Sequence, residues 1–398
     1  MRLGSFIRQC QAVTRYNLET IWERRAVSVV AIFGIAGVVG VMVAVLSMAA
    51  GFRAVVTGQA RDDVAVVLRS GATGASDSIL NHQDIQVLWE APGVARGPDG
   101  PLVSPELFVI IDRKKIGAGT DANVPLRGVE AAGFALREQF EIVEGRNFEP
   151  GRNEVIVGDG AAGAFEGLQV GDRIDVGRAS WEVVGRFTTG GGVAESEIWT
   201  DNRILQQMYQ RGNSWNIALV RLRDAEAFEG FEQALTDDPR VSLGAERQTT
   251  HMAAQSEPIE AFISVVGWII VVMMSAGAVF AALNTMYAAV SSRSREIATL
   301  RALGFSRLPV VVSVMIESLV FGLIGAAAGG VASWFLFDGF RAATINWASF
   351  SQVAFAFQVT PELLVQGTTL ALVIGAIGGF LPAVGAARRS VVGALREQ

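Results

Sequence analysis

Residues able to do covalent or metal chemistry are few and scattered. One cysteine, Cys10, stands in 398 residues, which excludes an internal disulfide framework and any multi-cysteine zinc or iron–sulfur site. The two histidines, His82 and His251, are far apart in sequence, which speaks against a histidine-rich metal centre. No Gly-x-x-x-x-Gly-Lys-Ser/Thr phosphate loop occurs, so any ATP-driven step must come from a partner. Asp62-Asp63, Asp112, Glu195 and Glu197 read as solvated acids. His82 beside Asn81, and His251 in a segment that returns to an apolar run, read as surface residues. No catalytic residue, metal or cofactor is expected in the chain itself. Two features stand out instead: an arginine-studded segment at 291–305, suited to bearing a push, and one acid, Glu317, inside an apolar run.

The elements that must position these residues are set by hydropathy. Hydrophobic residues make up 51% of the chain and charged residues 18%, with a mean hydropathy of +0.37. That composition is too apolar for an ordinary soluble protein. Four stretches are long enough to cross about 30 Å of hydrocarbon at about 1.5 Å per residue. We expect spans at 27–50, 259–290, 308–337 and 363–387, the third containing Glu317 and the last Pro382. The first could be a signal peptide, since Arg24-Arg25 precedes it and Ser47-Met48-Ala49 resembles a cleavage site. Its 24 apolar residues and the 26 residues before it favour an uncleaved span.

Charge is partitioned along the chain. Residues 51–258 hold 20 basic and 31 acidic side chains, a net −11, and the rest hold 13 basic and 8 acidic, a net +5. Arg2, Arg8, Arg15, Arg24 and Arg25 precede the first span. Arg293, Arg295, Arg301 and Arg307 lie between spans two and three, and Arg388, Arg389 and Arg396 follow the fourth, whereas the loop between spans three and four has only Arg341. The distribution places both termini (1–26 and 388–398) and the 291–307 loop in the cytoplasm, and 51–258 and a short loop at 338–362 outside. Residues 1–26 read as an amphipathic helix, with Phe6, Cys10, Val13, Leu18, Ile21 and Trp22 at helical spacing. It would lie on membrane lipid or pack on another protein.

Residues 51–258 have an α+β pattern sufficient for two subdomains. Strand-like runs are 64–68, 108–111, 154–157, 173–176, 181–187, 197–200 and 217–222. Helix-like runs are 77–90, with Ser76 and Asp77 as caps, then 201–211 and 225–236. The fold class is thus an α-helical membrane protein with four transmembrane helices and a large α+β extracytoplasmic domain between helices 1 and 2.

Within 291–305, Ser294 can cap a short helix in which Arg295, Glu296, Thr299 and Arg301 are polar, while Ile297, Ala298, Leu300 and Leu303 offer apolar surface. Gly304 is placed to end it. Such a helix can pass a push from a soluble partner into two spans, or simply fix topology. Glu317 is costly in a membrane. It marks a proton relay or substrate contact, or a bond to a neighbouring helix through Asn284, Thr285 or Ser313. Small residues recur at Ala36/Gly40, Gly325/Gly329 and Gly375/Gly379, permitting close helix approach in a dimer or within one bundle. No continuous polar stripe lines the spans, which argues against a water-filled channel.

Three stretches carry a resemblance. Ser291-Ser292-Arg293-Ser294-Arg295-Glu296-Ile297-Ala298-Thr299-Leu300-Arg301-Ala302-Leu303-Gly304-Phe305 resembles the Arg-Glu-Ile-x-x-x-Arg-Ala-x-Gly element of the MacB, FtsX and LolC/LolE type of ABC transporter permease. Pro382-Ala383 through Arg388-Arg389 to Ala394-Leu395-Arg396 is similar to that family's exit from its last span. Glu144-Gly145-Arg146-Asn147-Phe148, Gly171-Asp172 and Trp181-Glu182-Val183-Val184-Gly185 look like pieces of a MacB-like periplasmic core domain. The resemblance implies a coupling helix at 291–305 seated on an ATPase, with Arg293, Arg295, Glu296, Ile297, Leu300, Arg301, Leu303 and Gly304 as its contact residues. It also implies a dimer with a second copy or a paralogue, and a bacterial inner-membrane location. The fused ATPase of MacB is missing from this sequence, so ATP and Mg are expected on a separate ATPase subunit. A periplasmic adaptor and outer-membrane channel are further expected partners, and no nucleic acid is expected. Export by mechanotransmission is the leading reading. Lipoprotein release of the LolC/LolE kind, an FtsX-like regulator of an envelope hydrolase, and a receptor or channel without an ATPase are the alternatives.

Overall fold

The computed structural model describes residues 3–19, 25–117, 119–177, 179–346 and 351–388. Arg2, Ile21, Trp22, Arg24 and the tail with Arg389, Ala394, Leu395 and Arg396 lie outside the described residues. The chain divides into two compact units, one of residues 1–50, 262–340 and 357–398, the other of 51–261 and 341–356.

The helices are α1 (Leu3–Glu19), α2 (Arg25–Thr57), α3 (His82–Glu90), α4 (Ala131–Ala135), α5 (Asp159–Ala164), α6 (Asn202–Met208), α7 (Ala227–Asp237), α8 (Gln248–Ser292), α9 (Ser294–Ala302), α10 (Arg307–Phe337) and α11 (Pro361–Arg388). The strands are β1 (Val64–Arg69), β2 (Leu80–Asn81), β3 (Arg96–Gly97), β4 (Gly100–Pro101), β5 (Val103–Lys114), β6 (Asp121–Val129), β7 (Glu141–Gly145), β8 (Glu154–Gly158), β9 (Arg173–Val176), β10 (Ala179–Thr188), β11 (Ile198–Asp201), β12 (Ser214–Trp215), β13 (Ile217–Arg221), β14 (Leu243–Arg247), β15 (Arg341–Asn346) and β16 (Ser351–Ala356).

In the inserted unit one ten-stranded sheet runs β14-β1-β13-β5-β6-β11-β8-β10-β7, with β9 on β10. The twelve-residue β5 joins its halves: Val103–Glu106 pairs with β13, and Leu107–Lys114 pairs with β6. Two cores therefore share one sheet. Ala65, Val67, Ala218 and Val220 pack under α3 and α7 with Leu88, Phe228 and Phe231. Val124, Leu126, Val155, Val157, Trp181 and Ile198 pack with Phe165 and Leu205. The period-2 alternation of a strand sends Ile156 to the opposite face, where it joins Phe148, Val184, Phe187 and Trp199.

Three expected elements move. The helix expected at 77–90 begins at His82, because Asn81 accepts from the backbone N–H of Gln83 and Asp84 and Asp84 answers in a capping box. Asp77 instead closes a tight turn, accepting from the N–H of Thr73 and Gly74. The helix expected at 201–211 is Asn202–Met208, capped by Asp201 on the Arg203 N–H. The expected loop at 338–362 contains the antiparallel β15–β16 hairpin, which folds with the inserted unit. Buried Val353 and Phe355 alternate along β16, Phe355 meets Phe52 edge-on at 5.7 Å, and the Ala354 N–H donates to Ser196.

Among the described residues, four helices are long and apolar enough to cross a bilayer, at 28–57, 248–292, 307–337 and 361–388. Packing is governed by small residues. A Cβ on Gly329 would meet the Ala36 carbonyl oxygen at 2.4 Å, and one on Gly325 would meet Ile35 at 2.9 Å, so α10 lies tight on α2. Ser333 donates to the Gly40 carbonyl at 3.1 Å. A Cβ on Gly375 or Gly379 would strike Ser318, whose hydroxyl donates to the Gly375 carbonyl. Ala36/Gly40, Gly325/Gly329 and Gly375/Gly379 are thus used inside one bundle. Val13 and Asn17 of α1 are buried, and Asn17 donates to Ser313 of α10.

Two predictions follow from this packing. Gly329→Ala should destabilise the full-length chain in detergent by about 1–3 kcal/mol through overpacking, whereas Gly34→Ala, with open space around its Cα, should leave the melting temperature unchanged; equal melts would refute the close approach. The second concerns Glu106, fully buried between Arg127 and Arg137 at 2.9 and 2.7 Å. Burial pushes its carboxyl up, but Arg137 and Arg127 outweigh burial and hold it below the usual value. A lowered carboxylate stabilises the fold above its unfolded pKa, and that stability is lost as pH falls through the folded value. Glu106→Gln should cost about 3–5 kcal/mol at pH 7 in denaturant titrations followed by tryptophan fluorescence. The gap to wild type should narrow on acidification through the carboxylate range.

Candidate functional site

The segment singled out in the sequence folds as α9, a nine-residue helix between α8 and α10. Its start differs from expectation. The N-cap is Arg293, with φ −104° and ψ 11°, and Ser294 is the first helical residue with no cap bond. Its end is closed by the Leu303, Gly304 and Phe305 N–H groups, which donate to the carbonyls of Thr299, Arg301 and Leu300. Gly304 has φ +97°, the left-handed conformation that only glycine adopts freely.

The helix has two faces. Ala298 is buried, and Ile297 and Leu300 are half-buried beside Val13, Val290, Val310 and Val314. Two of the expected contact residues, Ile297 and Leu300, therefore join Ala298 in holding α9 to its own bundle, since a nine-residue helix has too little propensity to stand alone. Arg295, Glu296, Thr299 and Leu303 are exposed, Leu303 by 73%. Arg301 is partly exposed in the last turn, where a cation is favourable beside the helix C-terminus.

Arg293 does not belong to the outward face. Its guanidinium turns into the bundle and donates to both oxygens of Glu317 at 2.5 and 2.6 Å, with the two side chains 4% and 3% exposed. Its Nε also reaches the Ala289 carbonyl at 3.3 Å. Glu317 is therefore partnered by an arginine instead of the expected Asn284, Thr285 or Ser313. Asn284 is exposed on α8, and Ser313 takes its bond from Asn17. Neither the Arg293–Glu317 pair nor the Asn17–Ser313 bond was legible in the sequence. The one available signal was that a charge buried in hydrocarbon needs an opposite charge within reach.

The inserted unit carries a cleft of about 310 Å³, lined among others by Arg127, Arg137, Glu197, Phe108 and His251. Its charges are already matched. Glu197 is buried and takes Arg127 at 2.5 and 2.6 Å and the Trp199 indole N–H at 2.8 Å, so it is not the solvated acid expected. Burial lowers the Arg127 pKa, but Glu197 and Glu106 more than reverse this and raise it. Glu195 is also committed, accepting from the Thr188 hydroxyl and from the Thr189 and Gly191 N–H groups. Asp63 is lowered by Arg61, against burial, with help from Arg221. His251 is buried, not on the surface, with Glu246 at 3.0 Å and Gln255 at 2.8 Å on its two ring nitrogens. Among the described residues no group of three His, Cys, Asp or Glu side chains is placed to hold a metal ion.

Comparison with known proteins agrees with this layout. The family model for the FtsX-like permease C-terminal region matches residues 268–391, and that for the MacB-like periplasmic core domain matches 28–238. The chain is 23% identical over 268 residues to an uncharacterized ABC transporter permease of Methanocaldococcus jannaschii, covering 65% of this chain and 66% of that protein. It is 30% identical over 116 residues to the macrolide export ATP-binding/permease protein MacB of Campylobacter jejuni subsp. jejuni, covering 29% of this chain and 17% of that one. These matches span less than two thirds of either relative. Among solved structures, the extracellular domain of the noncanonic ABC-type transporter YknZ from Gram-positive bacteria aligns with a TM-score of 0.35 at 16% identity, over 46% of this chain and 99% of that one. The periplasmic region of MacB from Actinobacillus actinomycetemcomitans aligns with a TM-score of 0.36 at 11% identity, over 52% and 95%. With the core-domain model matching more than half of the chain and the permease model running from within the second span to the end of the fourth, the chain belongs to the MacB/FtsX-type family of ABC transporter permeases.

Proposed function

We propose that this permease converts ATP hydrolysis by a separate ABC ATPase into motion of the inserted domain, and so extrudes a substrate from the periplasm or outer leaflet of a bacterial inner membrane. The arginine distribution supports cytoplasmic termini and a cytoplasmic α9, with residues 51–258 on the far side. The chain works with a second copy or a paralogue and performs no catalysis itself. A periplasmic adaptor and an outer-membrane channel complete the export route.

The observation that carries this reading is the two-faced α9. Its inner face, Ile297, Ala298 and Leu300, is committed to the bundle, and its outer face offers Arg295, Glu296, Thr299 and Leu303. A helix held from behind and open in front is built to receive a load. An exposed leucine flanked by charges is the composition of a protein contact, an apolar anchor with a polar rim.

The test is co-purification of the tagged full-length chain in mild detergent, with an ATPase assay on the eluate. Wild type should bring down a nucleotide-binding subunit in stoichiometric amount. Arg295→Glu combined with Leu303→Asp should reduce that recovery at least tenfold while the chain keeps its melting temperature. Undiminished recovery would show that α9 is not the docking helix.

A further inference from the structure

Arg293 stands at the corner where the chain leaves α8 and enters α9, a place from which Arg295, two residues on, reaches the surface. Its own side chain is instead withdrawn from water onto Glu317. Glu317 lies ten residues into α10, about 15 Å along the axis from Arg307. Taking both charges out of water is costly, and a well-packed apolar pair at such a place is commonly as stable or more so. Stability alone gives no reason for an ion pair here.

Its placement gives one. The pair ties the first turn of α9 to the middle of α10, while Gly304, Phe305 and Ser306 tie its last turn to the start of α10. The short helix is thereby fastened to α10 at two points. One turn away on the same face of α10, Ser313 is held by Asn17 of α1. A second observation concerns the free side of the guanidinium. Nη1 of Arg293 is buried and has no hydrogen-bond partner. Arg293 also borders a small space of about 10 Å³ whose walls include Asn17 of α1, Glu296 of α9 and Val314 of α10. That is room for about one water. The guanidinium therefore has a donor to spare and space to shift, with a second carboxylate, Glu296, bordering that space.

We propose that the Arg293–Glu317 pair is the joint that makes α10 follow α9, a pair of positioning residues that transmits load applied at the docking face into the third span. This rests on the reading of α9 as an ATPase-docking helix. Arg293 then acts by holding α10, not by touching the ATPase.

The test uses the full-length chain with its co-purified ATPase subunit, and reads hydrogen exchange of peptides from residues 51–258 with and without ATP plus vanadate. Wild type should show a nucleotide-dependent change. The apolar double variant Arg293→Met with Glu317→Leu should melt within a few degrees of wild type and retain the ATPase subunit at the same ratio. It should lose the nucleotide-dependent change at least fivefold. A purely structural pair predicts the opposite, an unchanged response once the apolar pair is packed, and that outcome overturns the proposal. Glu317→Gln, which keeps shape and a hydrogen-bond acceptor, provides the same reading should the double variant misfold. It should reduce the response at least threefold, and an unreduced response overturns the proposal. A wild-type chain that recovers no ATPase subunit overturns the docking reading and this joint with it. Retained ATPase with an unaltered response overturns the joint alone.

Discussion

Hydrocarbon offers no hydrogen bonds, so each polar atom carried by a span must find its partner on a neighbouring helix or within its own turn. The membrane unit is arranged around that requirement. Ser318 donates to the Gly375 carbonyl, Ser333 to the Gly40 carbonyl, Asn17 to Ser313 and Arg293 to Glu317. All four bonds converge on α10. The glycines make this possible, because backbone carbonyls on α2 and α11 can be reached only where no side chain keeps the helices apart. α10 is the hub because it combines small residues on two faces with hydroxyls and a carboxylate at matching heights.

The inserted unit solves a different problem, the joining of two cores into one sheet. β5 does this by changing partner midway, and Glu106 sits where the change occurs, paired with Arg127 from β6 and with Arg137 just beyond α4. Arg127 continues to Glu197, which receives the indole N–H of Trp199. Arg137 lies over the Trp199 ring at 4.8 Å, a favourable cation–π geometry. A row of alternating charges, each neutralised by the next, thus spans three neighbouring strands. Removing any one member leaves a neighbouring charge buried without its partner.

Periodicity revealed those elements whose physics is local. The spans were legible because twenty apolar residues have one meaning, and β1, β8, β9 and β13 because a short run of alternating or β-branched residues between turn signals has one too. Gly304 was legible as a helix end for the same reason. The polar partners were not. Nothing near Glu317 in sequence names Arg293, 24 positions earlier, and nothing in the Glu195-Ser196-Glu197 run tells that Glu197 is buried and Glu195 hydrogen-bonded. Such pairings are fixed by the fold, through helix approach and strand register. The faces of α9 were misread for a related reason: nine residues with apolar side chains at 297, 298, 300 and 303 do not state which neighbour claims which. The β15–β16 hairpin was missed because its alternating residues, Val353 and Phe355, sit in a short connection between two long spans.

That hairpin has a consequence for biogenesis. The inserted unit draws on two separate pieces of chain, 51–261 and 341–356, so it is not a simple insertion between two spans. A ribosome delivers the first piece, then two complete spans, and only then the strand that covers Phe52 and bonds Ser196. The sheet can form early, but its seat for Val353 and Phe355 stays open until the third span and the loop that follows it have been synthesised. Completion of the domain therefore waits on the synthesis of two intervening spans. A chain in which this hairpin fails to reach the sheet would carry an unfilled apolar seat beside Phe52, an exposed hydrophobic patch of the kind that drives aggregation.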